Sequence, residues 1–315
     1  MDVLVSSTCL TALSATGWVV LSCCLSYKSQ QRPYYRASTF YATVAIALCC
    51  AYFFLANRFA TKRNLLAVIL LYILNGAKQR YCLLLFWSIC VLSSLVFVAA
   101  VSACNSRSNR VTTEHRKFFH LTVSLVCLSG LQIDPQLLLL SSVLVMCILV
   151  LLECIRALRI PPFGQRLHVA LQPFLDAQDG GGLVLTPLYL FGGTFLPLWL
   201  SPALSPLHVR LKHFSGVISV GLGDSFAAFT GRRFGRLNWF GGSGKTIEGS
   251  IGCVVAEILG FVLALSLMRE TALLTLTSLL YLFFVSVVVA VAEALLGALD
   301  NIALPLICYV LLSNW

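Results

Sequence analysis

Residues 241–249 read Gly241-Gly242-Ser243-Gly244-Lys245-Thr246-Ile247-Glu248-Gly249. The run looks like half of a nucleotide-binding P-loop, which would make the chain a soluble α/β protein. A Walker A pattern needs a glycine five residues before its Gly-Lys pair. Counting back from Gly244 reaches Trp239 instead. The pattern also needs a preceding β-strand and a parallel sheet, and here the upstream neighbour is the apolar run 214–230. The P-loop reading fails.

What surrounds the stretch is a chain made for lipid. Of its 315 residues 59% are hydrophobic and 11% charged, with a mean hydropathy of +0.90. A soluble domain carries about 25% charged residues, so there is too little polar surface here to coat a globule. A bilayer core takes about 20 apolar residues per helix. Apolar runs at 8–27, 39–56, 65–77, 81–103, 118–133, 136–153, 183–200, 214–230, 249–268, 272–291 and 294–312 supply the candidates. The expected fold is all-α: a polytopic transmembrane helical bundle of nine to eleven spans, with short cytoplasmic loops forming the ligand site. The run 65–77 is short, and 118–133 and 136–153 form a tight hairpin at Asp134-Pro135. Continuous Leu/Val/Ala runs do not alternate as barrel strands must.

The net charge of +10 follows from topology. With the 231–248 loop in the cytoplasm, loops on that side carry 14 of the 22 Lys and Arg residues, as the positive-inside rule asks. Anionic headgroups and an anionic substrate explain this basicity better than nucleic acid does. The 13 cysteines lie mostly inside apolar runs, without a Cys-x-x-Cys, and read as small buried hydrophobes. The first run reads as an uncleaved anchor followed by Lys28.

In such a chain the informative residues are charges within apolar runs. Each costs about 2.5–3.5 kcal/mol at mid-bilayer on insertion scales and is a functional candidate by default. Asp224 is the sharpest, in the run Gly221-Leu222-Gly223-Asp224-Ser225; the alternative is packing against Arg232 or Arg233. Glu153, three residues before Arg156, reads as an ordinary helix-face ion pair. Glu257 and Glu293 also fall in apolar runs, and Asp300-Asn301 before Pro305 suggests a broken last helix. Asp176 and Asp179, followed by three glycines, either share a divalent cation or form a solvated acidic turn. Arg116 and Lys117 suit a helix mouth as positive-inside anchors, with His120 one turn deeper.

The opening stretch keeps a chemistry of its own. Gly241, Gly242, Gly244 and Gly249 let backbone N–H groups turn toward an anion. Lys245 adds a point charge, Thr246 a hydroxyl, and the following helix its positive end. Arg232, Arg233 and Arg236 raise the cation density. The loop suits a polyphosphate.

The ordered set of motifs resembles the polyprenol kinase family, in particular its dolichol kinases. Residues carrying the resemblance are Gly221, Gly223, Asp224, Ala227, Gly231, Gly235, Trp239, Gly242, Lys245, Thr246, Glu248 and Gly249. Further matches are "RKFFHL" (116–121), "LLECIRALRIPPFGQ" (151–165), "FLDAQDGG" (174–181) and "EALLGALDNIALPL" (293–306). They divide the chain into N-terminal spans at 1–103, which match only generically, and a catalytic membrane domain at 104–315.

The resemblance implies CTP-dependent phosphorylation of the terminal hydroxyl of dolichol. It places a multi-pass protein in the endoplasmic reticulum membrane with its site facing the cytoplasm, supplying the lipid carrier for protein glycosylation. The implied cofactor is a divalent cation, Mg²⁺, with CTP as co-substrate and dolichol and membrane lipid as partners. The CTP-binding residues would be Arg236, Gly241, Gly242, Gly244, Lys245, Thr246, Glu248 and Gly249. Asp224, Asp179 and Asp176 would hold the metal, and Asp224, Lys245, His120 and Asp300 would be catalytic, with Asp224, Asp300 or His120 as general base. Gly244 stands where the family often has a second lysine, and Ala177-Gln178 where it often has Glu-Arg. Known eukaryotic members are longer, so a short form or a truncated chain is expected. The competing readings are a cytidylyltransferase acting on a lipid phosphate, a kinase of another prenyl alcohol such as phytol, and an anion transporter. A transporter would show an inverted repeat, and the stretch 241–249 has no partner in the first half.

Overall fold

The computed structural model describes residues 2–29, 33–58, 72, 74, 76, 78–104, 113–171, 183–203, 205–239, 244–297 and 299–315. Among them the protein is helical throughout, with one isolated antiparallel bridge and no strand. Its helices are α1 (Asp2–Ser29), α2 (Pro33–Arg58), α3 (Lys78–Cys104), α4 (Thr113–Ile133), α5 (Pro135–Ala157), α6 (Gly164–Leu171) and α7 (Thr186–Leu200). A π-helix at Val217–Asp224 follows, then α8 (Ser225–Phe234), α9 (Ile247–Leu267), α10 (Leu276–Leu295) and α11 (Asp300–Leu312).

Among the described residues six segments are long and apolar enough to cross a membrane: Val3–Cys24, Ala37–Asn57, Lys78–Val101, Pro135–Ala157, Ile247–Leu267 and Leu276–Leu295. Asp300–Leu312 is a shorter apolar helix. The expected polytopic helical bundle is therefore the fold, while its other expected spans take different forms. The run 118–133 belongs to a helix whose first turns carry Arg116, Lys117 and His120. The run 183–200 yields the 15-residue α7, and 214–230 is divided between the π-helix and α8. Residues 65–71 of the short third run lie outside the described residues.

The chain forms two compact units, each assembled from separate stretches: Met1–Val111 with Leu139–Val184, and Thr112–Leu138 with Leu185–Trp315. In the first, α1 and α2 pack through Val19, Cys23, Ala37, Phe40 and Ala47, joined by Ile160 and partly buried Leu151 and Cys154. The expected Glu153–Arg156 pair forms here as a bidentate contact, Nη2–Oε1 2.6 Å and Nε–Oε2 2.7 Å. The same Glu153 Oε1 accepts the Val184 N–H at 2.6 Å.

In the second unit, local chemistry sets where helices begin. Asp134 Oδ1 accepts the Leu137 N–H at 2.9 Å, so Asp134 caps α5 with Pro135 at its first position. The chain therefore breaks between two helices at Asp134-Pro135, where the sequence places the break. Thr246 caps α9 by accepting from Gly249 N, and Thr275 caps α10 by accepting from Ser278 N. Helices α9 and α10 run antiparallel through a short turn, and α9 packs along the π-helix and α8. The fully buried Phe195, Phe214, Phe261, Leu282 and Leu304 mark the centre of this unit.

Candidate functional site

The polar residues of the second unit collect where several element ends meet: the first turns of α4, the end of the π-helix, the starts of α9 and α11, and the end of α10. Asp224, the last residue of the π-helix, is 6% exposed. Lys117 Nζ donates to its Oδ2 at 2.5 Å and reaches its main-chain oxygen at 3.3 Å. His120, one turn along α4, places Nδ1 3.4 Å from the same Oδ2 and 3.5 Å from the Val220 carbonyl. One carboxylate in an apolar setting is thus matched by a cation and an imidazole from a single helix face, because Lys117 and His120 are three apart.

Lys245 lies on the loop leading into α9, and its Nζ donates to Glu293 Oε1 near the end of α10. The Glu293 side chain is 3% exposed and the lysine side chain 33%. Burial opposes the lysine's charge. The Glu293 carboxylate, its hydrogen bond, Asp224 and Asp300 outweigh that and hold the ammonium above its ordinary range. The carboxylates of the π-helix, α10 and α11 therefore act together on one cation from the loop.

The loop is itself braced. Asn238 pairs with Thr246 as an antiparallel bridge, with Trp239 N donating to Lys245 O at 3.0 Å and Ile247 N to Leu237 O at 2.8 Å. The indole Nε1 of Trp239 donates to Ser250 Oγ at 3.0 Å, and both Glu248 oxygens accept the Leu237 N–H at 3.2 Å. Gly244 has φ +70°, a left-handed backbone that glycine adopts at no steric cost. A lysine at that position would meet the Cβ penalty, so the single-lysine sequence and the turn agree.

The structure brings Asp224, Lys245, His120 and Asp300 into one cluster. Thr246 serves as the α9 cap, Glu248 as a loop brace, and Arg236 is exposed beside them. Gly249 sits in the first turn of α9 with its N–H taken by Thr246 Oγ1 at 3.2 Å. A methyl group there would lie 2.9 Å from the Ala227 carbonyl, so this glycine lets α8 approach α9 closely. Gly241, Gly242, Asp176 and Asp179 lie outside the described residues. Two members of the cluster were not among the expected site residues. Lys117 read as an anchor at a helix mouth, although its spacing from His120 marked a shared face. Glu293 carried a clear signal, being the sole charged residue of α10. Glu257, fully buried one turn along α9 from Cys253, accepts from its Sγ at 3.8 Å through Oε1.

A family model for dolichol kinase matches residues 13–192. A dolichol kinase of Homo sapiens is 32% identical over 263 residues, covering 80% of this chain and 48% of that protein. The Mus musculus dolichol kinase is 32% identical over 77% of this chain and 47% of its own length. One from Arabidopsis thaliana is 31% identical over 71% and 40%. The chain spans about half the length of the curated relatives it matches. The human match leaves about one fifth of the chain outside it, so it takes in both Asp224 and Lys245 wherever it begins. No solved structure matches the chain.

Proposed function

The chain belongs to the dolichol kinase family, and from that premise we propose that it phosphorylates the terminal hydroxyl of dolichol with CTP as donor. The observation that carries this reading is the cluster itself. Lys245, partly open to solvent, is fixed at the mouth of a lipid-embedded bundle beside Asp224, Lys117, His120 and Asp300. Phosphoryl transfer asks the protein for positioning and charge neutralisation more than for covalent chemistry, and this cluster offers both.

Lys245 supplies the main charge to the CTP phosphates. The loop residues Gly241, Gly242, Gly244 and Thr246 contribute hydrogen-bond donors, with Arg236 outside them, while the first N–H groups of α9 are already taken by Leu237 O and Thr246. Lys117, already on Asp224, is the second fixed cation. A divalent ion suits the donor set in a limited way. Mg²⁺ typically takes one or two protein carboxylates plus substrate phosphates. Asp224 and Asp300 are near enough to influence one another, while no group of three or more His, Cys, Asp or Glu among the described residues is arranged to hold a metal. Asp224, with Asp179 and Asp176 as further candidates, would hold an ion arriving with the nucleotide. When bound it would neutralise the β- and γ-phosphate oxygens. The hydroxyl proton has acceptors in His120 and Asp300, because Asp224 Oδ2 is engaged by Lys117. The lipid chain stays among the spans, and the loop faces the cytoplasm from the endoplasmic reticulum membrane.

The test presents CTP labelled at the γ- or α-phosphate to purified protein with dolichol, and with phytol in parallel. A kinase moves only the γ label to lipid; transfer of the α label would mean a cytidylyltransferase instead. Lys245→Ala and Asp224→Asn are expected to abolish turnover with membrane insertion intact, and near-normal activity in both would remove the site assignment.

A further inference from the structure

We infer that Glu293 is a positioning residue for Lys245, anchoring the lysine from behind so that its ammonium faces the transferring phosphates. The inference rests on the reading of Lys245 as the phosphate-binding cation. Three observations lead to it. Glu293 is the sole charged residue of α10, in a run otherwise of Leu, Val, Ala, Phe, Tyr, Ser and Thr. Such a carboxylate is costly in an apolar span, and intramembrane acids are rare without a functional partner. Its partner is the loop lysine, not a residue of a neighbouring span.

The decisive point is the asymmetry of the pair. Here the carboxylate is 3% exposed and the lysine side chain 33%. The lysine keeps an accessible side while its back is fixed. An ammonium has three N–H donors, so a lysine held on Glu293 can still exchange a donor onto a ligand from its exposed side. Holding the ammonium fixed before the ligand arrives is electrostatic preorganisation, which contributes to the transition state more than to ground-state binding. Glu293 also adds negative charge beside the place where a nucleoside triphosphate would bind, which works against binding in the ground state.

The two effects predict that turnover is lost without any loss of CTP binding. In Glu293→Gln, kcat falls at least about tenfold, while KM for CTP stays equal or falls. Direct CTP binding by the same variant is as tight as in the wild type or tighter. Glu293→Asp, which keeps the charge on a shorter arm, recovers part of kcat. The pH profile gives a further readout. Lys245 must be protonated to act, and Glu293 raises its pKa, so the activity it supports is lost on the alkaline side. Removing Glu293 moves that alkaline limb to lower pH. The other groups acting on the pair are Asp224 of the π-helix, Cys253 and Glu257 of α9, and Asp300 of α11, with Lys117 and His120 of α4 behind Asp224. They are unchanged by the substitution.

The experiment is run on the full chain in lipid, with Lys245→Ala as control. Wild-type kcat in Glu293→Gln overturns the inference, as does a rise in KM at constant kcat. Weakened CTP binding with no recovery in Glu293→Asp also overturns it and leaves a packing role. An active Lys245→Ala, by contrast, removes the reading of Lys245 as the phosphate cation, and the inference about Glu293 with it.

Discussion

At the scale of single residues, the cluster depends on charges that cannot be removed one at a time. Asp224 is buried and Lys117 is 21% exposed at the side chain, so their pair lies between the surface and interior limits. Breaking a fully buried pair by deleting one partner costs about 3–5 kcal/mol, and an exposed pair contributes about 0–1. Lys117→Met is therefore expected to destabilise the second unit by about 1–3 kcal/mol and to abolish activity. Adding Asp224→Asn removes the orphaned charge, so the double variant should regain stability without regaining turnover. Thermal unfolding in detergent measures the first quantity and lipid phosphorylation the second. A double variant no more stable than Lys117→Met would mean that the pair is not the coupled unit described. Asp224 was legible from sequence because insertion should have discouraged it. Lys117 was not, because a basic residue at a helix mouth satisfies the positive-inside rule whether or not it reaches inward.

At the scale of elements, the cluster depends on how closely two interrupted helices approach. A methyl group built on Gly193 of α7 would lie 1.7 Å from the Asn301 carbonyl of α11. That is backbone against backbone, so no side chain can move aside. Asn301 follows Asp300, whose Oδ1 accepts the Asn301 N–H at 2.8 Å. Gly193→Ala should force α11 away from α7, cost about 3 kcal/mol, at the upper end for overpacking, and lower activity by displacing Asp300. Gly17→Ala, where nothing lies within 4 Å, is the matched control and should be neutral or slightly stabilising. Equal unfolding temperatures for the two variants would contradict the contact. The helix starts were readable, since Asp134-Pro135 is a recognisable capping sequence. The π-helix before Asp224 was not readable, because eight mostly apolar residues are too few to show whether their period is that of an α- or a π-helix. Such segments are rare and occur often at functional sites, and this one ends on the central carboxylate.

At the scale of the whole molecule, lipid as solvent explains why composition alone carries the fold class, while the division of the apolar runs into long and interrupted helices needed coordinates. Length and hydropathy identify α9 and α10 as spans, and the connection between them must then lie across the membrane from Lys245. Helix α9 has 21 residues; at 1.5 Å per residue it reaches about 30 Å, the thickness of a hydrocarbon core. Asn238 and Thr271 are both exposed, one in the site loop and one in the α9–α10 turn. If the basic loops face the cytoplasm, cysteine placed at 238 reacts with an impermeant maleimide in sealed microsomes, with the native cysteines as background. Cysteine placed at 271 then reacts only after permeabilisation. The reverse pattern would invert the proposed orientation and put the nucleotide site on the lumenal side, away from cytoplasmic CTP. Labelling of both in sealed vesicles would mean that α9 does not span the bilayer, and the Lys245–Glu293 pair would then lie at an interface instead of at the mouth of a bundle.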